Sequence, residues 1–242
     1  MNCVLLIPCV GPMQSWGTRS RFQERDTERE PSKSGVIGML CAALGRDRSA
    51  PVDDLADLKM GVRVDREGKL SKDFQTAQDI AVASGGATQG MVSNRYYLSD
   101  AAFLVALEGA SPLLKIIHNK LRLPEWPLFL GRKSYVPSEP PYLPDGLIES
   151  VSLNEALRGR PLMMTADQLK RLIKTADAGH SGKIRIVFET SDRTNEIRND
   201  QPVSFALGRR MFRQRYVVTE YADIAEFAVE KEVADVSDAV VS

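Results

Sequence analysis

The order of strand-like and helix-like segments over the first 121 residues is what most limits the fold of this chain. Val4 to Val10 is an apolar run closed by Gly11-Pro12, which reads as a buried strand ended by a turn. Cys3 and Cys9 are an even number of residues apart and face the same side of it. A helix follows, in which Ser34 can cap the start, Val36, Ile37, Leu40 and Leu44 share a face, and Gly45 can end it. Gly35 and Gly38 cost that helix stability, so a closely approaching backbone or ligand is the expected compensation. A helical turn, Val52 to Leu58, leads to the alternating strand Gly61-Val62-Arg63-Val64-Asp65 and a turn at Glu67-Gly68. Residues 74–98 read as two strand-like arms around a Ser84-Gly85-Gly86 tip, a protruding β-hairpin with little core of its own. Ala101 to Leu107 is a buried strand, and Pro112 opens an amphipathic helix carrying Leu113, Leu114, Ile117 and Leu121. Strand, helix, strand, hairpin, strand, helix suits a ferredoxin-like α+β unit.

Beyond that helix the pattern changes. Prolines cluster between Pro112 and Pro161, which signals extended segments and turns with no core helix before Asn154. A helix is expected from Asp167 to Thr175 and strands from Lys183 to Glu189 and from Arg215 to Glu220, forming either a second small sheet or an extension of the first. The expected division is a domain over 1–150, containing the hairpin at 75–98, and a C-terminal extension over 151–242.

Composition removes several classes of function. At 242 residues the chain can bury a core without disulfides or metals, and 43% hydrophobic with 26% charged residues excludes a disordered chain or a coiled coil. No apolar run approaches the roughly 20 residues of a membrane span. The opening MNCVLLIPCV lacks the basic flank and cleavage site of a signal peptide, so the cytoplasm is the expected location. Three cysteines without a CxxC pair read as reduced thiols, and two histidines without ligand spacing argue against zinc; no metal or cofactor is expected. The net charge is zero but unevenly spread. Residues 205–218, FALGRRMFRQRYVV, hold four arginines and no acid, whereas Glu226 to Ser242 holds five acids against one lysine. A neutral total can therefore conceal a basic face.

No catalytic set stands out. Gly131-Arg132-Lys133-Ser134 resembles the end of a P-loop but has an arginine inserted and no glycine five residues before Gly131. A hydrolase needs a base beside its nucleophile. His118, beside Ile117, reads as a surface or boundary histidine, and His180 lies in an Ala-Gly-His-Ser-Gly loop with no specific pattern. Asp53-Asp54 are explained as helix N-terminal charges.

Nucleic-acid binding fits better. GPMQSWG sets Gln14, Ser15 and Trp16 between glycines, so that one loop would expose an amide side chain and a large aromatic, the parts that recognise unstacked bases. The competing reading packs Trp16 over the sheet. FLGRKSYVP adds Arg132 and Lys133 on a glycine turn, with Ser134 and Tyr135 beside them, or else is a solvated basic turn. The stretch from Arg19 to Glu30 mixes four arginines with four acids and reads equally as a solvated surface or as part of a functional loop.

GPMQSWG after strand one, PSKSGVIGMLCAALG as helix one, NRYYLSDAAFLVAL entering the central strand and PLFLGRKSYVP after helix two together resemble the CasD family, the Cas-five-type subunit of the type I-E CRISPR Cascade complex. The resemblance spans roughly residues 3 to 140, with GRRMFRQRYVV as a weaker late match. It implies an RNA-recognition-like, ferredoxin-type fold that binds the 5′ handle of the CRISPR RNA and caps the backbone filament for DNA interference. The hairpin would be the family's thumb, and the neighbours would be the backbone and large subunits, with target DNA met through the assembled complex. On this resemblance Gln14, Trp16, Gly17, Arg19, Lys33, Ser34, Gly131, Arg132, Lys133 and Ser134 would hold handle phosphates and bases, with Arg95 and Tyr96 at the thumb base. No catalytic residue is expected; the alternative is a metal-independent endoribonuclease that processes precursor CRISPR RNA.

Overall fold

The computed structural model describes residues 2–18, 24–81, 85–86, 88–177 and 182–227. The chain runs β1 (Asn2–Val10), β2 (Met13–Gln14), β3 (Glu24–Arg25), α1 (Lys33–Leu44), α2 (Asp53–Ala56), β4 (Lys59–Arg66), β5 (Lys69–Ile80), β6 (Gln89–Ser99), β7 (Ala102–Ala110) and α3 (Ser111–Arg122). It continues with β8 (Leu147–Glu149), α4 (Leu153–Arg158), α5 (Ala166–Asp177), β9 (Lys183–Thr190), β10 (Glu196–Ser204) and β11 (Met211–Asp223). The result is a mixed α+β architecture built on one large antiparallel sheet, in the order β10-β11-β9-β4-β7-β1-β8.

β1 and β7 are apolar on both faces because both faces are covered. Cys3, Leu5, Ile7 and Cys9 pack beneath α1 and α3 with Val36, Leu40 and Ile117, so the two cysteines do share a side. Val4 and Leu6 face the other way, with Leu104, Leu157 and Ile186. Each such buried aliphatic side chain contributes about 1.5–3 kcal/mol. Gly45 ends α1 in the left-handed region at φ 69°, as expected. The start differs: Ser32, not Ser34, is the cap, and its side chain accepts from the Gly35 amide. α4 is an addition to the expected elements, although Ser152 and Glu155 carry the capping-box spacing and form both of its hydrogen bonds.

Of the two arrangements open for the C-terminal strands, the structure has the extension: β9 pairs with β4 and continues the first sheet through β11 to β10. β10 is likewise an addition. It is an irregular edge strand with register shifts, and Pro202 is tolerated there because an edge position needs no ladder donor. Two buried ion pairs lie within this sheet. Arg63 and Asp65 on β4 are both fully buried and bonded at 2.6 and 2.9 Å. Arg215 on β11 meets Asp200 at 2.6 and 2.9 Å, and Asp200 also accepts the Lys33 amide at the start of α1.

β5 and β6 form an antiparallel hairpin that begins at Lys69↔Ser99, earlier than the arms read from sequence, and shifts register between Ala77 and Ile80. β6 also pairs with β2 and, in parallel, with β3, making a second small sheet. Leu70, Phe74 and Val92 on the hairpin are exposed. Ser84 of the expected tip lies outside the described residues.

Candidate nucleic-acid interface

The loop after β1 is folded inward. β2 ties it to β6, and Gln14 is fully buried, donating to the carbonyls of Cys9 at 3.0 Å and Ala101 at 2.9 Å while accepting the Trp16 indole N–H at 3.1 Å. Trp16 is 1% exposed. Its ring lies against Gly35 of α1 so closely that a Cβ there would sit 2.7 Å from the ring, so the close neighbour of that helical glycine is an aromatic side chain and not the backbone or ligand expected. Gly38 has no such neighbour. The expectation that one loop exposes Gln14, Ser15 and Trp16 is therefore corrected: their side chains satisfy one another and the sheet, leaving no aromatic face for a base. Gly17 is exposed, and Arg19 lies outside the described residues.

Lys33 is corrected in the same way. It is 1% exposed, and its Nζ donates to both Glu189 oxygens, at 2.9 and 3.0 Å, and to Gln201 at 3.2 Å. Desolvation pulls its pKa below the ordinary lysine value, and Glu189 opposes that shift. Ser34 is half-buried in the first turn of α1. Glu30, in the mixed-charge stretch, is likewise internal, bridging Arg185 at 2.8 Å and Arg198 at 2.7 Å. These partners lie over 150 residues away in sequence.

The loop following α3 behaves differently along its length. Gly131 adopts φ 89° and passes so near the Ser15 carbonyl that a Cβ would lie 1.7 Å from it, so only glycine fits. Arg132 acts as a latch: it donates to the Tyr135 hydroxyl at 2.9 Å and to the carbonyls of Arg25 at 3.1 Å and Tyr96 at 3.0 Å. The half-buried guanidinium thus ties the loop to β3 and β6 as well as to Tyr135, contacts that its sequence alone does not announce. Lys133 and Ser134 beside it are exposed. Arg95 and Tyr96 on β6 are half-buried, with Arg95 Nε donating to Ser93 at 3.3 Å. Tyr96 on β6 and the Gly131–Ser134 turn are thus brought together through contacts of Ser15 and Arg132.

Among the described residues, His118 is engaged by the backbone and two of the cysteines are shielded by burial. His118 Nε2 is 2.8 Å from the Leu143 carbonyl, and the ring lies 4.8 Å from that of Tyr142. Burial pushes the thiol of Cys9 up to about 12 and that of Cys41 up to about 11, far from a reactive thiolate. His180 lies outside the described residues. Among the described residues no group of three or more metal-type ligands occurs, and no helix is long and apolar enough to cross a membrane.

The family model described as CRISPR-associated protein (Cas_Cas5) matches residues 4–218, from β1 into β11. The chain belongs to this family. Among Cas5 relatives, it is 29% identical over 159 residues to the CRISPR system Cascade subunit CasD of Escherichia coli (strain K12), covering 59% of this chain and 71% of that protein. A solved structure described as "Crystal structure of Cas protein" is 44% identical, with a TM-score of 0.71 over 92% of this chain and 96% of the other. A chain of a structure described as "CRISPR RNA-guided surveillance complex" is 29% identical, with a TM-score of 0.72 and 96% of each chain covered.

Proposed function

We propose that this Cas5 chain is a non-catalytic subunit of a CRISPR RNA-guided surveillance complex, where it binds the 5′ handle of the CRISPR RNA and caps the backbone filament. The observation that carries this reading is the match over 96% of both chains to a component of such a complex, which leaves little of either fold unaccounted for. The order β4-β7-β1-β8, with α1 and α3 packed against the sheet, supports a ferredoxin-like, RNA-recognition-like core. Its partners are the CRISPR RNA, the backbone and large subunits, and target DNA through the assembly. RNA contact is assigned to the exposed surfaces around Gly17, Lys133, Ser134, Arg95 and Tyr96, with the buried Gln14, Trp16 and Lys33 and the latched Arg132 shaping the groove from beneath.

Two experiments test this. Mixed with labelled precursor RNA containing a repeat, the full chain is expected to protect the 5′ handle and leave the RNA length unchanged. A discrete cut that disappears in His118→Ala would replace the binding role with an endoribonuclease. The second concerns β5 and β6, assigned as the thumb that bridges to a neighbouring subunit. Replacing residues 80–93 by a short Gly-Ser linker removes few buried contacts, so the isolated chain is expected to melt within a few degrees of the parent while failing to enter the reconstituted particle. Normal assembly on gel filtration would sink the thumb assignment.

A further inference from the structure

The charged segments of this chain divide sharply by what their arginines do. Arg132, Arg158, Arg185, Arg198 and Arg215 are each consumed by internal partners. Arg209 and Arg210, in the connection from β10 to β11, and Arg213, at the start of β11, are exposed and make no side-chain hydrogen bond or ion pair among the described residues. Residues 205–219 contain no acid, and the nearest carboxylate before them that faces β11, Asp200, is already taken by Arg215 and the Lys33 amide.

This connection is nevertheless built rather than loose. Gly208 turns it at φ 73°, the Arg209 amide donates to the Ala206 carbonyl at 3.0 Å, and Phe205 meets Phe212 edge-on at 6.3 Å. The buried Asp200–Arg215 pair holds its root. At its tip Leu207 is 92% exposed and Met211 54%, so both present apolar surface to solvent. Three like charges within five residues of one short connection repel one another, and a polyanion relieves that repulsion.

We infer that the tip of the β10–β11 hairpin is a second nucleic-acid contact, gripping the phosphodiester backbone of a single strand through Arg209, Arg210 and Arg213. The exposed apolar Leu207 and Met211, next to the arginines in the same short connection, favour a single strand over a duplex, because only an unstacked strand offers base faces to apolar groups. The inference rests on the nucleic-acid-binding reading above, but not on which strand end is recognised. Guide RNA and the DNA strand displaced from a target share the required chemistry.

The test measures binding of the full chain to labelled single-stranded RNA, repeat-derived or scrambled, and to single-stranded DNA over a range of salt. Changing Arg209, Arg210 and Arg213 together to alanine should lower the slope of log affinity against log salt by about 0.7 for each lost contact, roughly 2 in all, while changing them to lysine should preserve it. A fall with RNA alone assigns the site to the guide, a fall with DNA alone to the displaced strand, and a fall with both to any single strand. An unchanged slope, or no binding by the parent chain, overturns the inference. If the slope falls but the parent chain does not prefer repeat-derived RNA, the handle reading fails and the hairpin contact stands. If the parent chain prefers repeat-derived RNA and the slope is unchanged, the handle reading stands and the hairpin contact fails.

Discussion

Asp65→Ala is expected to cost about 3–5 kcal/mol of folding stability, as breaking a buried ion pair does. Asp65 and Arg63 are both 0% exposed at the side chain and joined by two hydrogen bonds. Arg63 also donates to the carbonyls of Leu157, Arg160 and Pro161, stands 5.1 Å from the centre of the Phe227 ring, and so ties β4 to the segment after α4 and to the C-terminal turn. Removing the carboxylate leaves a cation in the interior and strands the Met163 amide, which Asp65 accepts at 2.7 Å. Urea unfolding measures the loss, and the double change Arg63→Met with Asp65→Leu should recover part of it, because neither partner is then left uncompensated. A single-variant loss below about 1 kcal/mol would show that water reaches the site.

Trp16→Ala is expected to act on folding rather than on RNA. Deleting a buried tryptophan costs about 3–5 kcal/mol, and here it also strands the Gln14 carbonyl oxygen that the indole satisfies. Thermal melting of the isolated chain is the deciding measurement. An unchanged melt with RNA affinity weaker by about 1–3 kcal/mol would instead mean that the ring stacks on a base.

The strands and helices with strong local patterns are legible in the sequence. β1, the body and end of α1, β4, β7 and α3 follow from apolar runs, Gly45 and Pro112. What local pattern cannot supply is a partner distant in the chain. Lys33 looks like a surface cation until Glu189 is placed against it, and Arg132 looks free until the Tyr96 carbonyl is. Trp16 in a glycine-flanked loop suggests display, yet Gly35 provides the flat helix surface on which it packs. Exposure is thus the least readable property of the candidate site, whereas the loops that build it are identified from residue type. α4 is hidden by its setting: the Ser152-to-Glu155 spacing is a helix signal, but the surrounding prolines favour extended chain.

The pairing of β4 with β9 has a consequence in time as well as space. β4 is made early, gains β7 on one side soon afterwards, and receives β9 on the other only after more than a hundred further residues. At ordinary rates of synthesis that interval is roughly 6 to 24 seconds. Throughout it the Gly61–Val64 edge of a growing chain lies open, its amides and carbonyls ready to join any passing strand. A chain released from the ribosome before β9 emerges would keep that edge unpaired and ready to join foreign strands.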